Sequence, residues 1–268
     1  MSRWNRPSGI RSVELGEFRL SYVPDGVGRL RSRGWLPSAT EEDWARHRHV
    51  LDGSGALVAS IGELLVERGE RAMLIDAGLG PRKEPDDPGN ALHGVLEGGE
   101  LLESLGKLGR RPDEIEAVAY THLHPDHIGW AGSFGEHLVA EPEWRQRDET
   151  PAAERIRTVE DGEEIFPGVR VLLTPGHTPG HAAYVIESAG RRLIAFGDAF
   201  HSPVQIGDPD WIVAVDSDRE QAIKNRHRLL DELRDGDTLG FGIHFADVVF
   251  GRVRERDGSP VWEPVHSG

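Results

Sequence analysis

The stretch THLHPDHIGW (121–130) brings His122, His124, Asp126 and His127 into one short run. Imidazoles and carboxylates are the side chains that hold first-row divalent ions when thiolates are lacking, and this chain contains no cysteine. If a strand ends near Thr121, alternation sends His122, His124 and Asp126 to one side. Pro125 keeps His124 extended and suits the start of a helix at Asp126 and His127. A loop at a strand end can then present four ligand-type groups around a volume that two metal ions could share.

Other strand ends carry residues of the same type. In TPGHTPGH (174–181) the prolines and glycines exclude a helix, and His177 reads as a ligand, with His181 as a supporting or structural histidine. FGDAFH (196–201) places Asp198 where an apolar strand turns, and FGIHFAD (241–247) places His244 among apolar residues. Taken alone, the aspartate reads as a turn residue and His244 as a packed core histidine.

These loops need strands to position them. EFRLSYVP (17–24), SIGELLVERG (60–69) and RAMLIDAG (71–78) have strand patterning, the last two forming a hairpin near Gly69 and Glu70. LLESLGKLG (101–109) has helical spacing, and EIEAVAYTH (114–122) is expected to run as a buried strand into the histidine cluster. GVRVLLTPG (168–176), AAYVIESAG (182–190) and RRLIAFGD (191–198) repeat the pattern. DREQAIKNRHRLLDELRDGD (218–237) forms an amphipathic helix, before short strands at 238–244 and 248–256. No linker separates two cores, so residues 1–268 are expected to form one domain, a two-sheet sandwich flanked by helices. Residues 25–53, rich in Gly, Arg and Trp with a short helix over 40–49, are expected to be a lid or a dimer arm. A homodimer is accordingly among the expectations. Trp130, Phe134, Phe200, His201 and Trp211 lie close to the ligand loops in sequence and could wall a pocket, and Trp35 and Trp44 could close over it.

A formal charge of −15 disfavours nucleic acid and anionic membranes as partners, and no apolar run is long enough to span a bilayer. The N-terminal stretch has no apolar signal-type core, and a cytoplasmic location is expected.

HLHPDH (122–127), His177 within GHTPGH, Asp198 within GDAF and His244 together resemble the seven-ligand set of the metallo-β-lactamase superfamily. The resemblance implies an α/β sandwich of four layers, αβ/βα, with two metal ions at one edge, zinc by preference but iron, manganese or cobalt in some members. By motif, His122, His124 and His177 would hold the first ion, Asp126, His127 and His244 the second, and Asp198 would bridge them. The run from GDAFHSPVQ to NRHRLLDEL is similar to the branch that contains methyl parathion hydrolase and several lactonases. His124 departs from the glutamate of the flavodiiron branch, and Asp198 from the cysteine or serine of true β-lactamases.

The resemblance therefore implies a metal-dependent hydrolase in which a bridging hydroxide attacks an ester carbonyl. A small lactone such as an N-acyl-homoserine lactone is the first expectation. Asp126 and Asp198 would orient the hydroxide. Read from its place close after Asp198, His201 is a candidate proton donor or polar pocket contact, its plainer reading being an ordinary loop histidine. Phosphotriester or aryl-ester hydrolysis and a glyoxalase-II-like thioesterase are the enzymatic alternatives, and a metal-binding sensor or interaction module the non-enzymatic one.

Overall fold

The computed structural model describes residues 2–235 and 237–265. Two sheets face each other across an apolar interior. Among the described residues the first has nine strands: β1 (Arg11–Leu15), β2 (Phe18–Arg31), β3 (Ala56–Arg68), β4 (Arg71–Ile75), β5 (Lys83–Glu84), β6 (His93–Glu97), β7 (Val118–Ala119), β8 (His137–Ala140) and β9 (Ile156–Val159). The second has seven: β10 (Glu164–Phe166), β11 (Val169–Leu173), β12 (Ala182–Ser188), β13 (Arg191–Ala195), β14 (Leu239–Phe241), β15 (Phe250–Arg256) and β16 (Ser259–Pro264). The helices are α1 (Ser32–Trp35), α2 (Glu41–Arg46), α3 (Leu101–Lys107), α4 (Pro125–Ile128), α5 (Glu141–Arg145), α6 (Val204–Gly207) and α7 (Arg219–Arg234).

The layering follows from apolar residues on both faces of each sheet. Leu20, Leu64, Val66 and Ile75 of the first sheet meet Val171, Tyr184, Ile186 and Phe241 of the second between the sheets. The outer face of the first sheet buries Leu65, Leu74 and Val118 beneath Leu101 and Leu105 of α3. That of the second buries Ile194 and Val253 beneath Leu229, Leu230 and Leu233 of α7. The result is the expected αβ/βα arrangement. No helix among the described residues is long and apolar enough to cross a membrane.

Residues 25–53 carry more regular structure than their composition suggests. Residues 25–31 belong to β2, which continues through Arg31 by pairing Val27 with Ser60 and Leu30 with Leu57 of β3. Gly26 and Gly28 obscure this strand in the sequence, yet close approach demands the first of them, because a Cβ on Gly26 would lie 1.8 Å from the Glu97 carbonyl oxygen. The following residues are ordered too. Leu36, Trp44 and Val50 pack with Leu57, Val204, Trp211 and Val213 in a fourth apolar cluster, and Thr40 and Asp43 cap α2 reciprocally. The segment is folded and seated on residues 204–213, with Trp35 at the cleft.

The strand expected over 114–122 is also shorter. Only Val118 and Ala119 pair in parallel with β4 and β8, and beyond Tyr120 the backbone turns to a side-chain acceptor, Asp76 Oδ1, which takes the Thr121 N–H at 2.8 Å.

Candidate metal centre

Four chain segments converge at one edge of the sandwich. Thr121 leaves the first sheet, and its carbonyl accepts the Ala182 N–H of the second at 2.8 Å, which ties the sheets together beside the cluster. His124 is the extended residue before α4, and Pro125 opens that helix. Gly176 has a φ of 135°, and a Cβ there would lie 2.3 Å from the Ala222 nitrogen, so only glycine lets the His177 loop reach α7. Gly197 has a φ of 50°, and a Cβ would meet His181 Nε2 at 2.8 Å, so the turn that aims Asp198 also needs glycine.

The inner atoms sort into two groups. One ligand atom from each of His122, His124, His177 and Asp198 lies within 4.8 Å of the others, as does one from each of Asp126, His127 and His244. Asp198 faces both groups. Its Oδ2 stands 3.8 Å from His122 Nε2 and 3.5 Å from His177 Nε2, while its Oδ1 stands 3.4 Å from His127 Nε2 and 3.1 Å from His244 Nε2. His122 Nε2, His127 Nε2 and Asp198 Oδ1 are buried and have no hydrogen-bond partner among the described residues. Buried polar atoms left unpaired in this way are costly unless a cation satisfies them, and the donor set of imidazoles and carboxylates suits a zinc-like ion on either side of Asp198.

The outer nitrogens are held by other parts of the fold. Nδ1 of His127 donates to Asp76 Oδ2 at 3.0 Å, Nδ1 of His177 to Asp216 Oδ1 at 3.1 Å, and Nδ1 of His244 to the Ser60 carbonyl at 2.7 Å. A donor hydrogen bond at one ring nitrogen leaves the lone pair on the other, which fixes the tautomer a ligand needs. Asp76 also accepts from Thr121 Oγ1, and its φ of 66° is an unusual backbone conformation for a residue other than glycine. Glu143 of α5 connects two loops: it accepts from Leu123 N at 3.0 Å, Thr178 Oγ1 at 2.7 Å and Gly180 N at 3.0 Å. His181 supports from behind, its Nε2 accepting the Asp198 N–H at 3.0 Å while Nδ1 bonds to Thr174 Oγ1 at 2.9 Å.

Charge within the cluster follows from this geometry. Burial pushes the Asp198 carboxyl up, but His244, His127, His201 and His122 outweigh it and hold the group well below the usual carboxylate range. Burial, reinforced by His127 and His124, drives His122 well down. Burial also takes His177 to about 4 despite its bond to Asp216. His127 and His244 go the other way. Burial lowers both, but the carboxylates of Asp198 and Asp126, joined by Asp76 at His127, raise them more. His181 is held to about 3 by burial, then by His177.

A cleft leads to these groups. His124, Asp126, His177, Asp198, His201 and His244 form its polar side, and Gly28, Leu30, Trp35, Ala59, Ile61 and Leu96 its apolar side. Of the aromatic residues expected at the pocket, Trp35 and His201 line it, with ring centres 5.2 Å apart. Trp44 lies behind, against Trp211 at 5.5 Å. Trp130 instead donates Nε1–H to Asp25 at 2.8 Å, and Phe134 and Phe200 are core residues. These three follow candidate ligands closely in sequence, but the helical turns after each of those residues point them away.

Asp76, Asp216 and Glu143 did not stand out in the sequence. Asp76 shares a signal with Asp198, an aspartate just after an apolar strand. Asp216 and Glu143 have no sequence signal of their own.

A two-sheet αβ/βα sandwich with a paired histidine–aspartate cluster at its edge defines a metallohydrolase-type centre. Residues 64–239 match the defining pattern of the Metallo-beta-lactamase superfamily, and the chain belongs to that family. It is 29% identical over 186 residues to an N-acyl homoserine lactonase of Bacillus cereus, an alignment covering 62% of this chain and 73% of that protein. It is 30% identical over 173 residues to a probable metallo-hydrolase of Mycobacterium tuberculosis, covering 52% of this chain and 56% of that protein. Against several further Bacillus lactonases the chain spans only 57% of their length. Among solved structures, the dizinc quorum-quenching lactonase AidC superposes with a TM-score of 0.81 at 22% identity, covering 98% of this chain and 99% of that one. The hydrolase AbOPH superposes with a TM-score of 0.78 at 22% identity, covering 98% and 100%.

Proposed function

We propose that this protein is a dinuclear metal-dependent hydrolase that opens lactones, with N-acyl-homoserine lactones as the best-fitting class. The observation that carries the reading is Asp198, whose two carboxylate oxygens each face a separate group of imidazole nitrogens. In this reading His122, His124 and His177 would hold one ion and Asp126, His127 and His244 the other, with a carboxylate oxygen of Asp198 available to each group. Zinc is the ion we assign. Two such ions supply Lewis acidity toward an ester carbonyl and lower the pKa of water toward neutrality.

The chain's own residues do the rest. Asp126, with about a third of its side chain exposed at the mouth, and Asp198 beneath it accept hydrogen from the attacking water and so fix its direction. His201 Nε2 stands 3.1 Å from Asp198 Oδ2, and neither of its ring nitrogens has a hydrogen-bond partner among the described residues, which leaves the ring free to deliver a proton to the departing ring oxygen. Leu30, Ala59, Ile61, Leu96 and Trp35 exclude water from the acyl side. No lysine or arginine lines the cleft among the described residues, which favours a neutral acyl lactone over an anionic glutathione thioester.

The test is side-by-side kinetics on one zinc-loaded preparation, using γ-lactones, p-nitrophenyl esters, thioesters and a paraoxon-type triester, with zinc counted per chain. Two zinc ions and the highest kcat/KM on unactivated lactones are expected. Faster triester turnover would move the assignment to phosphotriester hydrolysis, and at most one ion under zinc-replete conditions would end the dinuclear reading.

A further inference from the structure

Arg226 lies midway along α7, is 0% exposed, and is the largest fully buried side chain among the described residues. Removing a guanidinium from water costs several kcal/mol, as an order of magnitude, and an apolar residue would fill the same space more cheaply, so its directed donors need a use. They all go to one loop. Nε donates to the Pro209 carbonyl at 2.7 Å, Nη2 to the Trp211 carbonyl at 3.1 Å and Nη1 to Asp216 Oδ2 at 3.2 Å. The other oxygen of Asp216 takes the His177 Nδ1–H at 3.1 Å.

The same loop reaches the opposite side of the cleft. Trp211 and Val213 pack with Leu30, Leu36, Trp44 and Ala59, and the Ala214 N–H donates to the Trp35 carbonyl at 2.9 Å. Leu30, Trp35 and Ala59 are cleft-lining residues. One guanidinium thus fixes both ends of the segment 209–216, whose far end orients a candidate metal ligand and whose near end backs the apolar wall.

We propose that Arg226 is a positioning residue that, through Asp216 and the carbonyls of Pro209 and Trp211, links metal binding at His177 to the shape of the substrate wall. The proposal rests on the reading that His177 binds a metal ion. Carboxylates behind a metal-bound imidazole are typically worth about 10- to 100-fold in metal affinity. Asp216→Asn can offer its amide oxygen to His177 or to Arg226 but not to both, and is expected to weaken zinc binding by about ten-fold or more with little change in KM. Trp211→Phe is expected to raise KM with zinc affinity unchanged. Arg226→Lys keeps the charge but cannot serve three acceptors, and is expected to do both.

The experiment titrates zinc(II) into the metal-stripped full chain in competition with a chromophoric chelator, for wild type and the three variants, with KM and kcat for a γ-lactone measured at saturating zinc. Arg226→Lys with a lowered thermal midpoint but zinc affinity and KM matching wild type would overturn the proposal. A second measurement needs no variant: in arginine-labelled wild type, the NMR resonance of the Arg226 Nε–H is expected to shift with the first equivalent of zinc, and an unmoved resonance would overturn the link. Wild type that takes up no zinc would instead overturn the metal-centre reading, and the proposal with it.

Discussion

Glu143→Ala is expected to loosen the candidate metal centre without touching any proposed ligand. The buried Glu143 carboxylate accepts from Leu123 N, Thr178 Oγ1 and Gly180 N, and so ties the loop holding His122 and His124 to the loop holding His177. Hydrogen bonds to a charged group contribute about 1.5–3 kcal/mol each, and truncation would leave two backbone N–H groups and one hydroxyl unsatisfied in a buried place. Water entering the vacated space restores part of this, so a net loss of about 4 kcal/mol is expected. For a chain of this size each kcal/mol is worth about 2–4 °C, which places the fall in midpoint at roughly 8–16 °C. Glu143→Gln keeps the shape and can still accept on one side, but it turns an NH2 toward an N–H, and it should lose about half as much. Thermal unfolding with and without zinc, alongside zinc content after dialysis, measures both effects. A midpoint within about 2 °C of wild type with two zinc ions retained would refute the reasoning.

Gly28→Val should raise KM for acyl lactones without altering zinc content. The cleft holds only about 50 Å³, and even a Cβ at Gly28 would lie 3.0 Å from Leu96 Cδ2, so unchanged KM would show that substrate does not pass there. His201→Ala should reduce kcat more for lactones than for p-nitrophenyl esters, whose leaving group needs no proton; equal losses on both would remove the proton-donor role. Asp43, depressed to about 2 by its bonds to Thr40, contributes stability that is present above its unfolded value of 3.8 and lost as pH falls from there toward 2. The midpoint difference between wild type and Asp43→Asn should therefore narrow below pH 4, and a difference independent of pH would contradict the capping assignment. Added salt should strengthen inhibition by the ring-opened hydroxy acid; inhibition insensitive to ionic strength would argue against a charge effect on product release.

The sequence exposed the inner atoms of the site far better than the parts that hold them. His122, His124, Asp126 and His127 are legible because they are close together in one run, and His177 because it lies in a Pro- and Gly-rich loop after a strand, whereas Asp198 and His244 become legible only through the family pattern they complete. The holders come from elsewhere in the chain: Asp76 lies 51 positions from His127, Asp216 lies 39 from His177, and the carbonyl that fixes His244 belongs to Ser60, 184 positions away. A lone aspartate or a main-chain carbonyl acquires such a role only through sheet topology, and composition carries no trace of it. The regular structure within 25–53 was hidden for a related reason. Gly26 and Gly28 break the strand pattern of β2, yet Gly26 is required by close approach to Glu97 and Gly28 opens the cleft floor. The aromatic residues mislead in the opposite sense, since sequence proximity to a ligand put Trp130 at the pocket and its indole is spent on Asp25.

The acidic character of the chain acquires a meaning once the reaction is considered. A formal charge of −15 creates a field that disfavours anions, and no lysine or arginine among the described cleft residues relieves it locally. An acyl lactone enters without charge and is indifferent to that field. Ring opening turns it into a hydroxy acid that is ionised at neutral pH, so substrate and product differ by one negative charge. Positive charge at the metal centre would hold such a carboxylate strongly, and the surrounding field acts in the opposite direction, favouring its departure. An enzyme for anionic substrates would face the same field on entry and would need cations at the mouth to offset it. The cleft instead offers Asp126 there, with Leu30, Ile61 and Leu96 on the facing wall.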